Sequence, residues 1–226
     1  MGLLEAHRAL VGKVAVVIGG AAGHIGRGVT LGLAGEGIHT IVCDNDRDGL
    51  AAIVDETAAL GTAAEAHFAD VRDPASLDAF FDMLAARGQA VDILVNVPGG
   101  VERRLFADST RAHHASDIRL NYDYVVQSCH RAIPLLRASG SGGSIVNFTT
   151  IEAHRGAASY AVYAGAKAAT TNFSRALAVE LGADRIRVNC IASDTTPARA
   201  SNSALAPEDF ARLAERQARH GRDAQR

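Results

Sequence analysis

Two side chains able to handle a proton stand one helical turn apart in the stretch SYAVYAGAK. Tyr163 precedes Lys167 by four residues, a spacing that puts two side chains on one face of a helix. A tyrosine phenol has an ordinary pKa of about 10, too high for a base near neutrality, and a nearby ammonium favours its ionised form. Tyr160 has no lysine at that distance. The chain contains only two lysines, Lys13 and Lys167, so the pair arises by chance on the order of a few per cent of the time. The plain alternative is an incidental pair on an amphipathic helix. Just upstream, Thr149 and Thr150 offer a hydroxyl that can donate to a reacting oxygen as charge develops on it.

A second group of residues suits a dinucleotide. IGGAAGHIGRG follows an apolar run and opens a helical pattern, with glycines at 20, 23 and 26. Those glycines allow a tight turn, close backbone approach and helix–strand packing, and the helix start, with His24 and Ile25, presents free amides to a pyrophosphate. Asp44 closes the next apolar run, where a carboxylate accepts from ribose hydroxyls and repels a 2′-phosphate. Asn45 follows, in a place where an arginine would have welcomed that phosphate. Arg47 reads as a solvated arginine at a helix start. NAD is therefore expected over NADP.

The elements that must position these groups alternate along the chain. Strand-like runs cover 13–19, 38–44, 63–70, 91–97, 143–149 and 185–192. Most lack polar alternation, as strands covered on both faces of a parallel sheet do. Helical spacing covers 24–35, 47–60, 74–88, 112–138 and 158–182, with Asp73-Pro74 as a clear start signal for the third. Repeated strand–helix units predict a doubly wound α/β fold, a mostly parallel sheet with helices on both faces. No linker or repeat divides residues 1–226, so one domain is expected. After Pro197 the sequence offers one charged amphipathic helix and no further strand, making 193–226 a divergent substrate loop and short tail.

Composition narrows the partners. A net charge of −2 gives no basic footprint for nucleic acid. Three cysteines, Cys43, Cys129 and Cys190, form neither CxxC nor a disulfide framework, which fits a reducing compartment. The first thirteen residues are too polar for a signal peptide, and no run reaches the length of a membrane span. A cytoplasmic location is expected, with no membrane partner. His113, His114, His130 and His154 show no metal-ligand spacing, so no metal site is expected.

With these motifs in order, the chain from about Gly12 to Pro197 resembles the short-chain dehydrogenase/reductase family in its compact single-domain form. GGAAGHIG resembles that family's TGxxxGxG loop, with Gly19 in place of the usual threonine and the middle glycine at 23. Asp70, followed by Val71, matches the acidic residue that meets the adenine. NVPG at 96–99 stands for the family's NNAG, keeping Asn96 and Gly99 around Val97-Pro98. Asn121 matches an asparagine that helps arrange a proton relay, and Tyr163 and Lys167 match YxxxK. Thr150 stands thirteen residues before Tyr163, where the family has serine, and Ser193-Asp194 replace the PG that usually follows RVNCIA.

The resemblance implies hydride transfer between NAD(H) and a secondary alcohol or ketone. Tyr163 would act as acid/base, with Lys167 lowering its pKa and holding the nicotinamide ribose, Thr150 polarising the substrate oxygen and Asn121 supporting them. Residues 98–108, 151–159 and 193–206 would wall the substrate pocket; His154 and Arg155 fall in a segment that borders the substrate in relatives, while Arg103 and Arg104 read as a solvated loop that could meet an anionic substrate group. It also implies a homodimer or homotetramer through the segments 112–138 and 158–182. The family's final strand and TG…DGG segment are missing, which would leave the sixth strand as an edge. A second reading stays open: a catalytically weakened NAD-binding relative serving as a regulatory or structural subunit.

Overall fold

The computed structural model describes residues 9–194. Six strands, β1 (Val14–Ile18), β2 (His39–Asp44), β3 (Glu65–Phe68), β4 (Ile93–Asn96), β5 (Gly143–Thr150) and β6 (Ile186–Ser193), form one sheet in the order β3-β2-β1-β4-β5-β6. Every pairing is parallel, as a chain that returns through a helix between strands requires. The helices are α1 (His24–Gly35), α2 (Arg47–Ala58), α3 (Pro74–Ala86), α4 (Arg111–Ile118), α5 (Tyr124–Ala138) and α6 (Ala161–Glu180).

Apolar side chains on both faces of the central strands hold these layers together. Ala15, Val16, Val17 and Ile18 of β1 are fully buried, which explains the unbroken apolar run. On one face Val16, Ile41, Leu94 and Ile145 join Leu77, Phe81, Val125 and Leu136 from α3 and α5. On the other, Val17, Val95 and Phe148 meet Ile25, Val29 and Leu33 of α1. Helix starts follow their side chains: Asp46 accepts from the Gly49 amide at 3.1 Å and Asp73 from the Ala75 amide at 3.0 Å, with Pro74 in the first turn. These are ordinary N-caps.

Sheet and helix order follow the sequence reading; the interruptions do not. The single helix expected over 112–138 is two helices joined by a wide π turn, Arg119–Asp123. There the Tyr124 amide reaches back to the Arg119 carbonyl, five residues away, a geometry common at functional sites. The helix expected from 158 begins at Ala161, because Ser159 takes a left-handed φ of 69°. Among the described residues β6 is the edge of the sheet, and the tail helix expected after Pro197 lies outside them. No described helix is long and apolar enough to cross a membrane.

One polar thread crosses this core. Asn96 and Asn147 are register partners on β4 and β5, and both are fully buried. Ser128 donates to Asn96 Oδ1 at 2.7 Å, Asn96 Nδ2 to Asn147 Oδ1 at 2.9 Å, and Asn147 Nδ2 to Ser174 Oγ at 2.9 Å. Helix α5 is thereby tied through two strands to α6. Replacing Asn147 with alanine leaves the buried Asn96 amide with only the weak Cys129 sulfur as acceptor and cuts the link to Ser174, and we expect a loss of about 2 kcal/mol or more. Urea denaturation checks this, with a lowered midpoint at unchanged slope as the expected result.

Candidate active site

The carboxyl ends of β1 and β2 meet over the glycine loop. Gly26 is packed so closely that a Cβ would lie 1.8 Å from the Gly19 carbonyl oxygen, and one on Gly20 would lie 2.7 Å from Thr30 Oγ1. Gly23, at φ +66°, faces open space. It caps α1 with no side-chain hydrogen bond, and the first turn carries no acid. The amides of a twelve-residue helix thus remain available at the rim of a cleft of about 360 Å³ lined by Gly23, His24, Ile25, Gly26, Asp44, Asn45, Val71 and Gly99. Bare amides, a positive helix end and an approach without side chains fit a pyrophosphate.

Asp44 has a second duty that its sequence position did not disclose. Its Oδ2 accepts from the amides of Ala21 at 3.0 Å and Ala22 at 2.9 Å, and its Oδ1 from Asp46 at 3.1 Å. A carboxylate offers about four acceptor positions, so roughly one remains for a ligand. The residue fixes the loop first and faces the cleft second. Arg47 lies over the Phe68 ring, 4.1 Å from its centre. Gly20 packs beneath the loop, and Asp70 turns to the Arg72 amide at 2.9 Å. Ala69, Val71 and Arg72 are the residues of that segment that line the cleft. Asn96 lies in the polar thread of the core, below the cleft floor.

The loop after β4 joins the cleft to the tyrosine–lysine face. Gly19 has φ +72°, and a Cβ on it would lie 2.6 Å from Pro98 Cγ. Gly19 and Pro98 are therefore complementary: the proline ring fills the space that a side chain at 19 would need. Tyr124 donates to the Pro98 carbonyl at 2.7 Å. Asn121, buried in the π turn, clamps Gly100, accepting from its amide at 3.1 Å and donating to its carbonyl at 2.9 Å. The Asn121 carbonyl in turn accepts from Thr170 of α6 at 2.9 Å.

Lys167 rises from α6 into the same place and is only 2 % exposed. Its Nζ donates to the Phe148 carbonyl at 2.9 Å and the Pro98 carbonyl at 3.4 Å. Burial lowers its pKa to about 8, because an ammonium stripped of water favours its neutral form. A Cβ on Gly99 would lie 2.7 Å from Nζ and 3.0 Å from Asn121 Oδ1, so glycine there leaves room for both.

Tyr163 is half-buried, with the Thr150 hydroxyl close enough to bear on its phenol. Burial, the largest cause, and the charge of Glu152 raise its pKa, while the Thr150 hydroxyl works in the opposite direction. The Lys167 ammonium beside it is turned to the Phe148 and Pro98 carbonyls. Thr150 itself donates to Glu152, a residue the sequence reading passed over. Glu152 is 8 % exposed and bound by Arg155 at 2.9 Å. The spacing of Glu152 and Arg155, three residues apart, was the signal for it. Thr149 is buried with its hydroxyl unpaired among the described residues. Arg103 lies over the Tyr160 ring at 5.0 Å, and Arg104 is held by Glu102 and by His113 at 2.7 Å.

Comparison with known proteins gives these features a setting. Residues 20–226 match a family described as enoyl-(acyl carrier protein) reductase. D-xylose 1-dehydrogenase of Caulobacter vibrioides is 31% identical over 213 residues, covering 94% of this chain and 84% of that protein. Several solved short-chain dehydrogenases/reductases share the fold. Carveol dehydrogenase from Mycobacterium avium, in complex with NAD, matches at a TM-score of 0.80 and 27% identity, covering 91% of this chain and 83% of that one. L-sorbose reductase from Gluconobacter frateurii, complexed with NADPH and L-sorbose, matches at 0.79 and 29%, covering 84% and 72%.

The buried ammonium leaves a mark on stability. Below a pH of about 8, Lys167 is charged in both folded and unfolded chains, and the full cost of burying the charge is present. Between that pH and the ordinary lysine value of 10.5 the unfolded chain binds a proton that the folded one does not, so stability rises with pH. The wild-type protein should gain on Lys167→Met by up to about 3 kcal/mol across this window. Parallel stability curves for the two proteins would contradict the assignment.

Proposed function

The chain belongs to the short-chain dehydrogenase/reductase family, and on that premise we propose that it transfers hydride between NAD(H) and a secondary alcohol or its ketone. One observation carries this reading. Tyr163 stands one helical turn from the buried ammonium of Lys167, with the Thr150 hydroxyl at the end of β5 close enough to bear on its phenol. Two hydroxyls beside a fixed cation make a seat for an oxygen that loses or gains a proton.

In this reading the nicotinamide dinucleotide, when bound, accepts or supplies the hydride. Gly23, His24, Ile25, Gly26 and the α1 amides would hold its pyrophosphate. Asp44 and Asn45 would meet the adenosine ribose, the carboxylate disfavouring a 2′-phosphate. Asp70, Val71, Asn96 and Gly99 would shape its remaining contacts, and Lys167 would hold the nicotinamide ribose. Tyr163 takes the substrate hydroxyl proton in oxidation and returns it in reduction. Thr150 holds the substrate oxygen in line, and Asn121 keeps the 96–100 loop where that oxygen must pass. Because burial raises the Tyr163 pKa, oxidation should climb through the alkaline range, while reduction falls as the phenol ionises. A homodimer or homotetramer forms part of the same proposal.

The expected result of a screen with NAD(H), NADP(H) and a panel of secondary alcohols and ketones is turnover that favours NAD(H). Tyr163→Phe should lower kcat by about a thousandfold while dinucleotide affinity, measured by calorimetry, stays within a few fold of wild type. Dinucleotide binding without turnover on any panel member would instead support the regulatory or structural subunit.

A further inference from the structure

The Thr150 hydroxyl has one proton, and the Glu152 carboxylate holds it: Thr150 Oγ1 donates to Glu152 Oε2. Tyr163 is the other neighbour, close enough for the hydroxyl to bear on its phenol. A hydroxyl whose proton is held by a carboxylate meets its next neighbour only as an acceptor. Hydrogen bonds to an ionised group are roughly twice as strong as neutral ones, so the carboxylate wins that proton from a neutral phenol.

Glu152 is built to hold the proton. It sits buried in the short turn Ile151–Ala153 directly after β5. Its Oε1 accepts from Arg155 Nη2 at 2.9 Å, and its amide lies 3.4 Å from Thr150 Oγ1. The remaining charged and titratable groups around it are accounted for. Asp194, at the end of β6, lies 3.9 Å from Arg155. On the α6 side stand Tyr160, with Arg103 over its ring, and Lys167, bound to the Phe148 and Pro98 carbonyls.

We propose that Glu152 is a positioning residue for the reaction: its carboxylate, braced by Arg155, takes the Thr150 proton and so sets whether the hydroxyl at 150 meets the reacting oxygen as acceptor or donor. The kinetic consequence rests on the proposed function; the geometry does not. While Glu152 holds the proton, Thr150 presents a lone pair, which suits the O–H of an alcohol or of Tyr163. A carbonyl oxygen or an alkoxide needs a donor instead, and the proton must then swing away from Glu152. Glu152 thereby favours the alcohol over the ketone in the site and opposes phenolate formation at Tyr163. No bond to hydrogen breaks in this step; one hydrogen bond replaces another.

Ultraviolet difference titration of tyrosinate, with Tyr163→Phe identifying the Tyr163 component, tests the proposal without needing turnover. In Glu152→Gln, Tyr163 should ionise at lower pH than in the wild type, and the shift should shrink when Thr150 is also replaced by valine. In Arg155→Ala, which removes the counter-charge that competes for the carboxylate, Tyr163 should ionise at higher pH. Where turnover is measurable, Glu152→Gln should move the alkaline rise of alcohol oxidation to lower pH and raise kcat/KM for ketone reduction about fivefold, the worth of one recovered hydrogen bond. An unmoved Tyr163 titration in Glu152→Gln, or a Glu152→Gln shift equally large with and without Thr150, would overturn the proposal. If Glu152→Gln does not fold, the Arg155→Ala titration decides, measured with and without Thr150→Val: a rise equally large in both would overturn the proposal. A wild-type protein that turns over no alcohol sinks the proposed function, while the titration still decides the role of Glu152.

Discussion

One buried cation, which among the described residues is held by main-chain carbonyls and no carboxylate, organises the centre of this protein. The Lys167 ammonium is nearly dry, and main-chain carbonyls from two different strand ends, Phe148 and Pro98, surround it. A buried charge is tolerated only when dipoles replace the water it has lost. Those carbonyls must therefore point inward, which fixes the end of β5 and the loop after β4 relative to α6. The Tyr124 phenol, the Asn121 clamp on Gly100 and the Thr170 hydroxyl hold the same loop from the α5 and α6 side. The arrangement costs stability at neutral pH, and proteins accept such costs at functional sites rather than in their cores.

The cleft and the tyrosine face are two halves of one construction. The glycine loop is held from below by Thr30, from the side by Asp44 and from above by the Pro98 ring. Pro98 also supplies a carbonyl to Lys167, so one residue touches both the glycine loop and the buried ammonium. The Asn96–Asn147 thread lies beneath both. Polar groups inside a core are costly unless satisfied, and when satisfied they select one packing over its alternatives. Here they keep β4 and β5 in the register that brings the Pro98 and Phe148 carbonyls together on Lys167.

Much of this was legible in the sequence because it is local. Strand, glycine turn and helix start stand within fifteen residues, and each has its own signal in residue type and spacing. The tyrosine–lysine pair is likewise a property of one helix. What escaped was decided by contacts between distant segments. The π turn at Asn121 reads as uninterrupted helix, because Asn121 is held there by the distant Gly100 and Thr170 as well as by the Asp117 carbonyl one turn back. Glu152 looks like any polar residue after a strand; its burial comes from Arg155 and from the packing of α6 over the turn. Asp44 was read toward a ligand, and the three amides it holds were invisible because the loop folds back onto it only in three dimensions.

The contact between Gly19 and Pro98 joins two distant positions. A side chain at 19 collides with the proline ring, and the left-handed backbone there already disfavours one. The identity of residue 98 therefore limits what position 19 can hold, although the two stand in loops nearly eighty residues apart in sequence.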